Sequence, residues 1–490
     1  MIIKILSALL LWLCLAAPSV YASLSIEQTN HCTQLMGKFG FGISPDTYDR
    51  YCTKNNLSHL RSALKAYASQ APALPANLRT LPHTETYARE YDKRKEWPRG
   101  NGQPPHIAYA REVSFVEMAH RIHANATAEN QFAERMTHFW SNHFSVSRAK
   151  NSATRLFVGA MEREAIRANL YGNFGDMLIA VVQHPAMLEY LENTASVGER
   201  SIIGKANEKR GINENLAREI MELHTLGVNG GYSQADVSEL AKVISGWTWD
   251  GAHGGFYVDQ DGHEPGEKTI IGHTYFSSNP TDAFAIRSEG EAVLRALALH
   301  PSTAKFLAEK MVRHFIQDEP TSSMIQQLAG AYLGSGGNLI AMYGALLDLP
   351  EVAKGEFRKY PMPYDVLIGM MRMYSAGVRG DLDNINTGIQ MRNAQQRMSE
   401  YLLWNWATPD GWPDTVDYWR TPQQMMRIIE SCNFLIHQNI ASDVAPETVL
   451  LRNFGAHAAA PYIALMQSQP TKTLKEKRST LCAVQLMRNR

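Results

Sequence analysis

The sequence predicts a mainly α fold: a large multi-helix domain with long irregular excursions and a short β hairpin. Three observations predict it. Apolar residues recur at helical spacing from Tyr109 almost to the C-terminus. The strict alternation expected of half-buried strands is scarce. Glycines, aromatics and short β-prone runs gather in one stretch, Trp247 to His273, which reads as a loop or hairpin. A chain of 490 residues, 44% hydrophobic and 20% charged, has ordinary globular composition and enough length for a large core. No clean boundary divides it, so residues 23–490 are read as one large domain. Its 48 basic and 48 acidic residues cancel, which argues against bulk electrostatic attraction to nucleic acid.

The N-terminus reads as a Sec-type secretory signal peptide over residues 1–22. A weakly basic start precedes the apolar run Ile5 to Ala17, and Val20-Tyr21-Ala22 offers small residues for cleavage after Ala22. The apolar run is short for a membrane span, so no transmembrane anchor is expected after cleavage. The mature protein is expected to be periplasmic or secreted. Cysteine usage fits export: Cys32, Cys52, Cys432 and Cys482 remain once Cys14 is removed with the leader. Local pairing, Cys32 with Cys52 and Cys432 with Cys482, is the expectation in an oxidising compartment. The rival, a zinc site from all four, lacks any CxxC half-site.

Element by element, Ser44-Pro45 reads as a helix start, and the spacing from Asn55 to Ser69 is helical. Residues 71–105 are rich in proline and charge and are expected to be a long irregular surface excursion or lid. Helices are predicted near 109–124, 128–141, 152–169, 174–193, 214–226 and 234–247. After the hairpin they resume at 283–300, 303–317, 321–333, 337–348, 363–376, 395–405, 421–438, 457–467 and 475–488. Gly227 is expected as a left-handed helix cap, and Ser233 with Asp236 as a capping box.

Several motifs then stand out. Asn213-Glu214-Asn215-Leu216-Ala217-Arg218-Glu219 runs through Met221-Glu222-Leu223-His224 to Gly227, followed by Gly230-Gly231-Tyr232-Ser233 and Ser245-Gly246-Trp247-Thr248. With Phe139 to Phe144, His184 to Leu188, His263 to Gly272, Pro301 to Lys310 and Pro409 to Asp414, these resemble a large bacterial family of unknown function, DUF1800. The likeness covers about residues 39–490. It implies export and an exported protein partner, of the DUF1501 family, whose members are often encoded alongside. It implies no established activity. Where the family usually has His-Asp, this chain reads His263-Glu264, keeping the carboxylate with one more methylene.

The candidate site residues lie within these motifs. Glu219, Glu222 and His224 are candidate catalytic groups, although His224 follows Glu219 by five residues and would point about 140° away on a straight helix. Lys268 joins them from the glycine-flanked loop that also carries His263 and Glu264. His143, His263 and Glu264 are the candidate metal ligands, for an unspecified divalent ion. The bland alternatives are capping, ion pairing and buried, hydrogen-bonded histidines. Trp412, on the loop Gly411-Trp412-Pro413-Asp414 within a tryptophan-rich segment, is a candidate for stacking on a cofactor, a sugar or a partner. The motif HExxH, the nucleophile elbow GxSxG and the haem motif CxxCH are all absent.

Two function classes follow. One is a metal-assisted hydrolase of the bacterial cell envelope, with a cleft gathering His143, Glu219, Glu222, His224, His263 and Glu264. The other is a non-catalytic scaffold or binding protein working with an exported partner. Convergence of His143 and His263 with Glu222 or His224 in one place separates them.

Overall fold

A computed structural model describes residues 26–52, 57–97, 102–207, 209–354, 359–373, 377–378 and 380–424, with scattered positions from 426 to 468. The predicted signal peptide, Cys432 and Cys482, and the last predicted helix lie outside the described residues. The fold is mainly α, with two small antiparallel ribbons. Among the described residues, no helix is long and apolar enough to cross a membrane.

The N-terminal helices Ile26–Lys38, Pro45–Tyr51 and Leu57–Ser69 are tied by a Cys32–Cys52 disulfide, as local pairing predicts. Ser44 caps the second helix, accepting from the Thr47 amide at 3.3 Å. Residues 71–105 differ from expectation. They contain the helices Ala76–Arg79 and Thr84–Lys95. The second is held by charge pattern, with Glu85 in its first turn, three basic residues in its last and a Glu85–Arg89 pair at 2.7 Å. Tyr87 and Tyr91, four apart, are its buried stripe, too sparse to stand out among charges.

The centre is built by the helices Pro105–Thr127, Gln131–His143, Ser152–Met161 and Phe174–Val182, packed into one continuous core. Trp140, Trp247, Phe157 and Phe174 are among its largest buried side chains. Two segments are π-helical, Glu162–Arg167 and Ile220–His224. The predicted hairpin region forms Trp247–Asp250 paired with Gly255–Val258, then Lys268–Ile270 paired with His273–Tyr275. Trp247 lies against Gly290 of the helix Ala283–Ala298, where an added Cβ would sit 2.2 Å from the indole. Only glycine lets that helix pass so closely.

Downstream, the helices Pro301–Phe315, Ser322–Gly334 and Leu339–Leu347 follow the predicted pattern. The helix expected at 395–405 instead spans Ile385–Met398. Beyond it the chain turns, with Trp404 at φ +56° and its carbonyl accepting from the Arg148 amide at 2.7 Å. That long-range bond replaces a helical one and fixes the loop carrying Trp406 to Trp412.

Candidate functional site

The segment Asn213 to Gly227 begins close to expectation. Asn213 Oδ1 accepts from the Asn215 amide at 2.9 Å, and the helix starts at Asn215. Glu214 pairs with Arg218 at 3.0 Å. After Glu219 the backbone widens into the π-helix Ile220–His224. Its i→i+5 pattern places residues five apart nearer one another in projection than an α-helix does. The 140° separation expected between Glu219 and His224 on a straight helix therefore shrinks. His224 turns fully inward, while Glu219 and Glu222 stay half-buried. Gly227 then ends the helix at φ +82°, and a Cβ there would meet the Phe306 ring at 2.9 Å. Ser233 and Asp236 form the predicted capping box.

His143 lies at the C-terminal end of the Gln131–His143 helix and meets His224 directly. The ring centroids are 6.0 Å apart, and His143 Nε2 donates to the His224 carbonyl at 3.2 Å. That bond leaves His143 Nδ1 as the lone-pair nitrogen, and it has no hydrogen-bond partner. Both ring nitrogens of His224 are likewise buried and without a partner among the described residues. Phe144, Phe174 and Phe306 wall the pair. Burial and the nearby Lys310 cation lower both imidazoles, His224 to about 3, so both are neutral at pH 7. A buried polar atom without a partner costs about 1–3 kcal/mol, and three such nitrogens meet in this one place.

Lys310 approaches from the helix Pro301–Phe315, its amine 5.4 Å from the Phe306 ring centroid. Among the described residues it has no ion pair or hydrogen bond. Burial lowers it to about 8, against the pull of Asp414 and Asp410. Glu219 is shifted the other way: burial, then the charges of Glu222 and Asp410, push it up to about 7. Asp410 thus lies within electrostatic reach of both groups. Tyr190 is placed beside the same two carboxylates, its hydroxyl donating to the Ala407 carbonyl at 3.2 Å.

The loop bearing Asp410 is docked by Asn142, next to His143. Asn142 donates to the Trp412 carbonyl at 3.1 Å and accepts from the Trp412 amide at 2.8 Å. Asp414 then bonds His314 at 2.6 Å and pairs with Lys359 at 3.0 Å. The Trp412 ring stacks on Tyr401 at 4.8 Å and packs against Trp406 and Trp419. It is nearly buried, a plug in an aromatic cluster that holds the loop in place.

The remaining predicted residues form a second cluster. His263, Lys268 and Glu289 are packed together with essentially no exposure. Lys268 Nζ is 3.0 Å from Glu289 and 3.1 Å from His263 Nε2, while His263 Nδ1 donates to the Ser245 carbonyl at 3.2 Å. Every polar group there is satisfied. Glu264 turns away to Arg200, bonding its side chain at 2.5 Å and its amide at 2.9 Å. The set His143, His263 and Glu264 is not assembled: among the described residues, no group of three His, Cys, Asp or Glu side chains is placed to hold a metal ion. Of these candidates His143 and His224 are in direct contact, and Glu219 and Glu222 act on each other earlier on the same segment as His224; His263, Glu264 and Lys268 serve the β-ribbon region, so His143 and His263 do not converge.

Sequence reasoning missed Lys310, His314, Asp410 and Asp414 as site residues. Phe306, Lys310 and His314 repeat every fourth residue, so one helix face carries all three toward the site. That periodicity was the available signal.

A family model described as "Protein of unknown function (DUF1800)" matches residues 34–489. No curated protein matches the chain, and no solved structure does.

Proposed function

The chain belongs to the DUF1800 family, and from the cluster just described we propose that it is an exported hydrolase of the bacterial cell envelope working by acid–base chemistry. The observation that carries this reading is the pair of buried histidines with unpartnered ring nitrogens among the described residues, with Lys310 within electrostatic reach of both rings and Asp410 within reach of Lys310 and of Glu219. A carboxyl near 7 and an amine near 8 suit proton transfer at neutral pH, because each exchanges a proton at little cost. In this reading ionised Glu219 activates water, and protonated Lys310 stabilises the oxyanion or protonates the leaving group. The neutral imidazoles of His143 and His224 orient substrate by hydrogen bonding. Export is supported by the N-terminal segment and by the Cys32–Cys52 bridge, which suits an oxidising compartment.

The metal-assisted form of this reading requires a third donor beside the two imidazoles, and His263 and Glu264 are engaged elsewhere. The test is turnover of chromogenic esters, phosphates and glycosides by the mature protein. Glu219→Gln and Lys310→Met are each expected to remove activity while the far-UV circular dichroism stays unchanged. Activity that survives both substitutions would overturn the assignment. Absence of turnover across all three substrate classes would favour the scaffold working with an exported partner.

A further inference from the structure

Two cavities lie away from this site. One of about 910 Å³ is walled by residues 70–77 together with Arg163 and Arg167. A second, of about 360 Å³, adjoins it, sharing Tyr67 and Thr127 to Glu129 as lining, and has an unusual feature. Arg372, on the helix Pro363–Met373, lines it while only 4% exposed. Its Nε donates to the Gly42 carbonyl at 3.2 Å and its Nη1 to the Ala126 carbonyl at 2.9 Å. No carboxylate pairs with it among the described residues, and Nη2 has no hydrogen-bond partner there.

Four other buried guanidiniums are neutralised. Arg121 meets Glu162 at 3.1 Å, Arg163 meets Glu117 at 2.6 Å and Arg167 meets Glu134 at 2.7 Å, while Arg135 pairs with Asp365. Arg148 also lacks a carboxylate, but it lies over the Phe115 ring at 4.8 Å and does not line this cavity. Holding a guanidinium out of water without a counter-charge is costly, and a carboxylate bound there recovers that cost through charge-assisted hydrogen bonds. Burial lowers Arg372 to about 10 against the pull of the Glu134 carboxylate, which is itself paired with Arg167. The cavity has an apolar side, with Met36, Leu60, Leu64 and Phe132 in its wall, and a polar side that includes Ser44, Thr47 and Gln131. Among its other lining groups, Glu129 is paired with Arg50 at 3.2 Å, and Asp46 would repel a second negative charge. Its volume falls within the range of small-molecule sites.

We propose that this cavity binds a small monocarboxylate with an apolar body, the carboxylate paired with Arg372 and the hydrocarbon against Met36, Leu60, Leu64 and Phe132. The site is independent of the hydrolase reading and stands or falls separately.

Calorimetric titration of the mature protein with octanoate, against its neutral isostere octanamide, tests it. Octanoate is expected to bind saturably at one site, with octanamide at least about tenfold weaker. Arg372→Gln should erase that preference. Since Arg372 also ties down two backbone carbonyls, Leu64→Trp supplies a second variant that fills the cavity and leaves the guanidinium in place. It should lose octanoate binding while remaining folded. Equal binding of octanoate and octanamide, no octanoate binding, or full binding by folded Leu64→Trp would each overturn the proposal.

Discussion

His143 donates a hydrogen bond to the backbone carbonyl of His224, 3.2 Å away, while the His224 ring itself has no hydrogen-bond partner on either nitrogen among the described residues. The fold thus spends a good bond on the main chain and leaves the imidazole unsatisfied. Such an arrangement costs stability and is expected where a group is held for a ligand rather than for the fold.

His224→Leu should therefore leave stability unchanged or raise it by about 1 kcal/mol, because two orphaned polar atoms are removed from an apolar surround. Turnover should be lost in the same variant. Urea denaturation beside an activity assay checks both. A loss above about 2 kcal/mol would mark the ring as structural.

The pH dependence of stability should carry the signature of Glu219 and Lys310. Between the ordinary carboxylate range and about 7, the native state holds a proton on Glu219 that the unfolded chain has released, so stability falls as pH rises. From about 8 to 10.5 the unfolded chain holds the proton that native Lys310 has lost, so stability rises with pH. Their joint contribution is thus least favourable between about 7 and 8, where both groups are charged. For Glu219 the effect is on the order of 1–2 kcal/mol once its partial exposure is discounted. Subtracting the melting curve of a Glu219→Gln/Lys310→Met double variant across pH 5–10 should reveal that minimum; a flat difference would remove the shifts.

The second cluster should behave as a structural ion group. Lys268→Met strands Glu289 in a site with no exposure and should cost about 3–5 kcal/mol. Adding Glu289→Leu should recover most of that loss, since a buried pair is replaceable by apolar side chains. A double-mutant cycle by chemical denaturation measures the coupling. Loss of turnover in the refolded double variant would return Lys268 to the catalytic set.

Metal content separates the acid–base reading from the metal-assisted one. Among the described residues no third donor joins the imidazoles of His143 and His224, so the mature protein purified without chelator should contain only substoichiometric metal. Elemental analysis giving one tightly held divalent ion per chain would require a donor from outside the described residues.

Local chemistry explains what could be read directly. The Ser44 cap, the Ser233–Asp236 capping box and the left-handed Gly227 all depend on neighbours within a few residues. The Cys32–Cys52 pairing is legible for another reason, because the two cysteines are neighbours among cysteines at a separation of 20 residues. The helix Thr84–Lys95 escaped notice because its stabilising signal is charge placement, with only Tyr87, Ala88 and Tyr91 as an apolar clue. The helix expected at 395–405 holds only to Met398, and farther on the Trp404 carbonyl accepts from the Arg148 amide, far away in sequence, rather than from a helical neighbour.

By itself the sequence determined the mainly α class, the caps and turns of the Asn213–Asp236 motif, and family membership, because helical periodicity and capping are short-range. Only the tertiary structure decided which polar residues meet. It joined His143 to His224 and brought Lys310 within electrostatic reach of both rings and Asp410 within reach of Lys310, while sending His263 and Lys268 to Glu289 and Glu264 to Arg200. Burial and charge at a site depend on groups that converge from distant segments, and a one-residue change in helical phase, as at Ile220–His224, is enough to turn a side chain inward.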